Sequence, residues 1–136
     1  MRAVLDPNVL ISALLSPGGA PAQTVARWLA GEFELVVSES LLAELERALA
    51  YPKLRRRIPA DAAADFVALL RSAAIVAADP GDSPRRSADP GDDYLPALAE
   101  SEHAVLVSGD EHLLRLAANM PVRAPRAFLQ SLESIE

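Results

Sequence analysis

The sequence predicts an α/β sandwich, a parallel and doubly wound sheet covered by helices. Three observations carry that prediction. Apolar runs of strand length alternate with segments of helical periodicity along the whole chain. The strand runs are continuously apolar, as in strands buried on both faces. Composition agrees: apolar residues make up 51% of the chain and aromatics only 4%, so the core must be mostly Ala, Leu and Val, which suit packed helices and short buried strands.

The elements follow in order. "RAVLD" is a short apolar run ended by Asp6, and a sharp turn at residues 6 to 8 leads into a helix over "VLISALL" that "SPGG" stops. "APAQTVARWLAGE" sets Val25, Trp28 and Leu29 at helical spacing and ends near Gly31. "FELVVS" reads as a second buried strand. Ser38 then stands at an N-cap position before "ESLLAELERALA". "PKLRRRIP" breaks the pattern and "ADAAADFVALLRSA" resumes it. "AIVAA" is a third strand, followed by a Pro/Gly/Ser-rich loop, "DPGDSPRRSADPG". "DDYLPALAESE" is helical, with Pro96 tolerated in the first turn. "AVLVSGD" is a fourth strand, "EHLLRLAAN" a helix, "VRA" a short fifth strand and "PRAFLQSLES" a closing helix.

A length of 136 residues fits one domain, so residues 1–136 are expected to form a single unit. The chain has no cysteine, which removes disulfides, thiolate metal sites and thiol catalysis together. No run reaches the ~18 apolar residues of a membrane span, and the first residues lack a basic, then apolar, leader pattern. A soluble cytoplasmic protein with no membrane partner is the expectation. The net charge of −6 excludes a protein that binds nucleic acid chiefly by overall phosphate neutralisation. Contact with nucleic acid would need local patches or metal ions. The densest basic run, "KLRRR", makes Lys53, Arg55, Arg56 and Arg57 the candidates for nucleic-acid contact; Arg85, Arg86, Arg123 and Arg126 lie elsewhere.

In open parallel sheets, sites form beyond the carboxyl ends of strands. Asp6 ends the first strand and Asp110 follows the fourth closely, so both fall on that edge. Each also suits a plain helix cap, with Pro7 as the first helical residue after Asp6. Two anions brought together need a cation or a shared proton. On the helix after Ser38, Glu44 and Glu46 flank the stripe of Leu41, Leu42, Leu45 and Leu49 on opposite sides, and periodicity does not choose between them. The tetrapeptide Asp-Pro-Gly-Asp occurs twice, at residues 79–82 and 89–92. The first copy starts no apolar period and reads as solvated linker. The second runs into a helix, where Asp92 shares the inward side with Leu95 and Ala99.

Four segments, "VLDPNVLISALLSPGG", "VVSESLLAELERAL", "DPGDDYLPALA" and "LVSGDEHLL", resemble in order the motifs of PIN-domain ribonucleases, and in particular relatives of the VapC toxins. The resemblance implies a three-layer sandwich around a mostly parallel sheet of four to five strands. It also implies an acidic pocket for Mg²⁺ or Mn²⁺, metal-dependent cleavage of RNA, an antitoxin partner and a homodimer. Position by position it assigns the catalytic and metal-binding acids to Asp6, Glu44, Asp92 and Asp110. Asn8, Asp93, Ser108 and His112 become accessory residues. Pro7 stands where the family often has Thr, and His112 where some members carry a further Asp. Imidazole suits Mn²⁺ better than Mg²⁺.

Two other readings compete. A phosphoryl-accepting, receiver- or phosphatase-like domain would use a strand-end Asp but needs a strand-end lysine, and the single lysine is Lys53 in the basic run. A catalytically weak PIN-like interaction module would use an exposed apolar surface such as "VARWLA".

Overall fold

The computed structural model describes residues 1–81 and 94–135. Five strands form one sheet: β1 (Arg2–Leu5), β2 (Glu34–Val37), β3 (Ile75–Val76), β4 (Val105–Val107) and β5 (Val122–Arg123). Their spatial order is β3-β2-β1-β4-β5, and every pairing is parallel. The chain winds outward from β1 to β3 and then crosses back to lay β4 on the other side of β1. The switch point between β1 and β4 opens a crevice at their carboxyl ends.

Ala3, Val4, Leu5, Leu35, Val36, Val37, Leu106 and Val107 are each at most 1% exposed, which is why these strands read as unbroken apolar runs. The covering helices are α1 (Pro7–Leu15), α2 (Ala20–Leu29), α3 (Glu39–Leu49), α4 (Pro52–Arg55), α5 (Ala60–Ala73), α6 (Tyr94–Ser101), α7 (Glu111–Leu114) and α8 (Pro125–Ile135). On one side α1 packs on α2 and α3, α3 on α5, and α2 on α8; α6 packs on β1 and β4. Right-handed crossovers in opposite directions place the outward and returning helices on opposite faces, giving the three layers. Among the described residues no single helix is long and apolar enough to cross a membrane.

Local signals explain most boundaries. Ser38 accepts a hydrogen bond from the Leu41 N–H and starts α3, as its position predicts. Helix α2 ends in a left-handed turn at Gly31 (φ 84°), with the Glu32 N–H bonded to the Arg27 carbonyl at 3.0 Å. Helix α6 ends in the same way, but a histidine occupies the left-handed position: His103 has φ 53°, and the Ala104 N–H reaches the Ala99 carbonyl at 2.8 Å.

Some elements differ from expectation. The "PKLRRRIP" break contains one helical turn, α4, opened by Pro52 and followed by the buried Ile58. The segment after β4 holds only one α turn and then tightens into a 3-10 turn, Arg115–Ala118. That geometry gains reach toward β5, ~2.0 Å per residue against ~1.5 Å. Strand β3 has two residues because α5 returns beside the start of α3, where Arg71 pairs with Glu39, and the chain re-enters the sheet opposite Val36 and Val37. Leu29 is 55% exposed although Val25 and Trp28 on the same helix are buried, so little of "VARWLA" forms an open apolar face.

Candidate active site

Asp6 stands one residue past β1. Its N–H continues the ladder to the Val107 carbonyl at 2.9 Å, and it is also the N-cap of α1, with Oδ1 accepting from the Asn8 N–H at 2.9 Å. Pro7 as first helical residue needs no such partner, so the cap reaches past it. Ser108 stands one residue past β4 and is fully buried. Its hydroxyl donates to Asp6 Oδ2 at 2.8 Å and accepts from the Asp110 N–H at 3.0 Å. Asp110 in turn caps α7, its Oδ1 accepting from the His112 N–H at 2.7 Å. A continuous line of hydrogen bonds thus joins the ends of β1 and β4 across the switch point.

Both acids are helix caps as well as candidate site residues. Each cap uses one carboxylate oxygen; Asp110 Oδ2 makes no hydrogen bond among the described residues. Asp6 is 4% exposed. Burial pushes its carboxyl pKa above the ordinary 3.8; the bonds from Asn8 and Ser108 oppose this, and the negative charge of Asp110 adds to it. Among the described residues no Arg, Lys or His side chain forms an ion pair with either acid. Two anions are therefore held close with hydroxyl and backbone donors but, among the described residues, no cationic side chain.

The remaining predicted residues distribute as follows. Glu44 is half-buried on α3. Glu46 is exposed and lines a 440 Å³ groove between α3 and α5, so helical geometry turns Glu44 to the other flank, toward α1. Asn8 is exposed beside Asp6, and His112 is exposed and reaches Asp110 through its backbone alone. Asp92 and Asp93 lie outside the described residues, as do Asp82 and Asp89. Leu95 and Ala99 are buried, as the inward side of α6 requires. Asp79, in the first repeat copy, makes one contact with the fold. It is exposed, but its Oδ2 accepts from the Ser40 N–H at 3.0 Å, bracing the first turn of α3.

Among the described residues no three His, Cys, Asp or Glu side chains come close enough to hold a metal ion. They supply two neighbouring carboxylates. The donors fit a hard divalent cation in kind, being oxygens without sulfur or imidazole.

Beside the acids lies a 330 Å³ cleft lined by Asn8, Val9, Ser12, Pro21, Gly109, Asp110 and Pro125. Ser12, half-buried one turn after Asn8, was legible as a helical neighbour at i+4. Pro21 and Pro125 carried no such signal, since they reach the cleft only because α2 and α8 pack together. The basic run sits elsewhere. Helix α3 leaves the carboxyl edge of the sheet and runs back for 11 residues, about 16 Å, so Lys53, Arg55, Arg56 and Arg57 lie toward the opposite edge, all exposed.

A parallel sheet with an acidic pair at its switch point defines a class, and sequence comparison agrees. The chain belongs to the PIN-domain family, whose model matches residues 2–112, a span that includes Asp6, Glu44, Ser108 and Asp110. It is similar to the uncharacterized protein MJ1680 of Methanocaldococcus jannaschii, 24% identical over 143 aligned positions that cover 98% of this chain and 92% of that one. Its fold matches a chain in the crystal structure of VapBC2 from Rickettsia felis bound to a DNA fragment from their promoter. That match has a TM-score of 0.60 and 15% identity, and covers 90% of this chain and 97% of the other.

Proposed function

We propose that this chain is a divalent-metal-dependent ribonuclease, the toxin of a type II toxin–antitoxin pair acting in the cytoplasm, and that residues 1–136 form one PIN domain. The observation that best supports this reading is the Asp6–Ser108–Asp110 line. Serine or asparagine would cap α1 as well as aspartate does, without the cost of an anion that is buried beside a second anion and has no cationic partner among the described residues. Such an arrangement serves a cation that is bound from outside.

Magnesium or manganese, held by Asp6, Glu44, Asp92 and Asp110, would supply Lewis-acid polarisation of a phosphoryl oxygen and activation of water. The chain's own residues do the positioning. Ser108 fixes the orientation of the Asp6 carboxylate through Oδ2. The backbone bonds on either side of Asp110 hold it at the cleft. Asn8 and Ser12 offer an amide and a hydroxyl to the strand, and the amino-terminal turns of α1, α2 and α8 border the cleft, where helix ends favour phosphate. Glu44 orients the attacking water from the α3 side. The shared fold with VapBC2 supports an antitoxin as partner. Lys53, on the far edge, is badly placed for the phosphoryl-accepting alternative.

The test is cleavage of a labelled single-stranded RNA by the wild type and by Asp110→Asn, each in Mn²⁺, Mg²⁺ and EDTA. Metal-dependent cutting by the wild type alone is expected. Equal cutting by both proteins, or cutting in EDTA, would remove the carboxylates from the mechanism.

A further inference from the structure

The basic run carries an exposed aromatic ring beside its charges. Tyr51, directly before α4, is 65% exposed, more than any other large apolar or aromatic side chain among the described residues. Residues 51–58 carry Lys53, Arg55, Arg56 and Arg57 and no acid, in a chain whose net charge is −6. The segment is anchored. Ile58 is 4% exposed, Leu54 packs against the core, and Arg55 donates to the Leu49 carbonyl at 3.2 Å, closing the end of α3. Lys53, Arg56 and Arg57 form no ion pair among the described residues, whereas Arg2, Arg27, Arg71 and Arg115 all do. Of the acids on α3 and α5, Glu46 lines the groove between them, Asp61 bonds the Ala62 N–H, Asp65 is exposed, Glu39 pairs with Arg71 and Glu44 is half-buried on the other flank.

We propose that Tyr51, Lys53, Arg55, Arg56 and Arg57 form a docking surface for single-stranded RNA on the edge of the sheet opposite the carboxylates. It rests on the ribonuclease reading for RNA as the strand. The cations suit phosphates, and guanidinium planes also stack on bases. An exposed tyrosine adds nothing to attraction for an acidic polypeptide but gives a base a face to stack on, which favours nucleic acid as the occupant. The rigid turn presents ring and charges together. The strand held here can extend toward the cleft along α3, a span of about 16 Å for its 11 residues.

The experiment is fluorescence anisotropy with a labelled oligo(U) strand in EDTA, over a salt series. Four contacts predict a slope of log K against log salt near −2.8, from about −0.7 per phosphate neutralised. Replacing Arg56 and Arg57 together by alanine should bring it to about −1.4. Tyr51→Ala should weaken binding roughly 5- to 150-fold, whereas Tyr51→Phe, which keeps the stacking face, should bind like wild type. Circular dichroism checks that each variant is folded. Unchanged affinity in both Tyr51→Ala and the double arginine variant would overturn the proposal. So would polyglutamate binding with equal loss on the arginine changes and none on Tyr51→Ala, which would make this a surface for acidic protein. In a parallel cleavage assay in Mn²⁺, equal cutting by wild type and these variants would remove this surface and leave the nuclease reading standing. Binding in EDTA with the expected losses, but no cutting in Mn²⁺, would do the reverse.

Discussion

Ser108→Ala tests the line of hydrogen bonds most directly. The substitution removes one oxygen from a fully buried position and leaves almost no cavity, so its cost comes from two bonds. The hydroxyl's bond to the Asp6 carboxylate is charge-assisted, about 1.5–3 kcal/mol, and the Asp110 N–H bond is neutral, about 0.5–1.5 kcal/mol. Asp110 is half-buried, so its N–H regains some water and the second figure belongs at its low end. The sum is about 2–4 kcal/mol. With a urea m-value on the order of 1.5 kcal/mol/M, the unfolding midpoint in EDTA should fall by roughly 1.5–2.5 M. A double-mutant cycle sharpens the test. In an Asp6→Asn background the acceptor is neutral, so the same serine change should cost only about 1 kcal/mol, a coupling of roughly 1–3 kcal/mol. A cost below about 0.5 kcal/mol, or equal costs in both backgrounds, would refute the idea that Ser108 supports a charged Asp6.

Three further outcomes follow from the same geometry. Burial raises the Asp6 pKa in the folded state above 3.8, so the folded protein holds that proton more tightly than the unfolded chain does. Stability from this group is therefore present below 3.8 and lost as pH rises through the folded pKa. Metal-free Asp6→Asn should gain on wild type in thermal melts across that window, and a difference independent of pH would contradict it. Glu44→Gln should lower RNA cleavage by at least about 10–100-fold while Glu46→Gln stays within about twofold; equal effects would show that α3 presents the wrong flank. His103→Gly should stabilise the fold by about 0.5–1 kcal/mol, raising Tm by roughly 1–4 °C, because glycine relieves the left-handed backbone at the end of α6 by more than it adds to unfolded-state entropy. A lower Tm would assign the imidazole a contact that offsets the strain.

Much of this molecule is determined by local sequence. Strand identity follows from unbroken apolar runs, and the starts of α1, α3 and α7 follow from Asp6, Ser38 and Asp110, because a cap acts over three residues of its own chain. The same locality put Asp6 and Asp110 on one edge, since a parallel sheet directs all its strand ends the same way. Other features depend on what packs against what. Glu44 and Glu46 are equivalent by periodicity; the family resemblance points to Glu44, and the packing of α3 between α1 and α5 supplies the physical difference between them. Asp79 meets Ser40 across 39 positions of sequence, and Ser108 meets Asp6 across 102. The placing of β4 against β1, the reach of α2 and α8 to the cleft, and the distance between the basic run and the acids are likewise tertiary. Hydrophobic period and capping chemistry are written within a few residues, so sequence alone determined the elements and their functional edge. Which strand ends become neighbours depends on strand order, which is set by how the helices cover the sheet, and only the folded structure decided that.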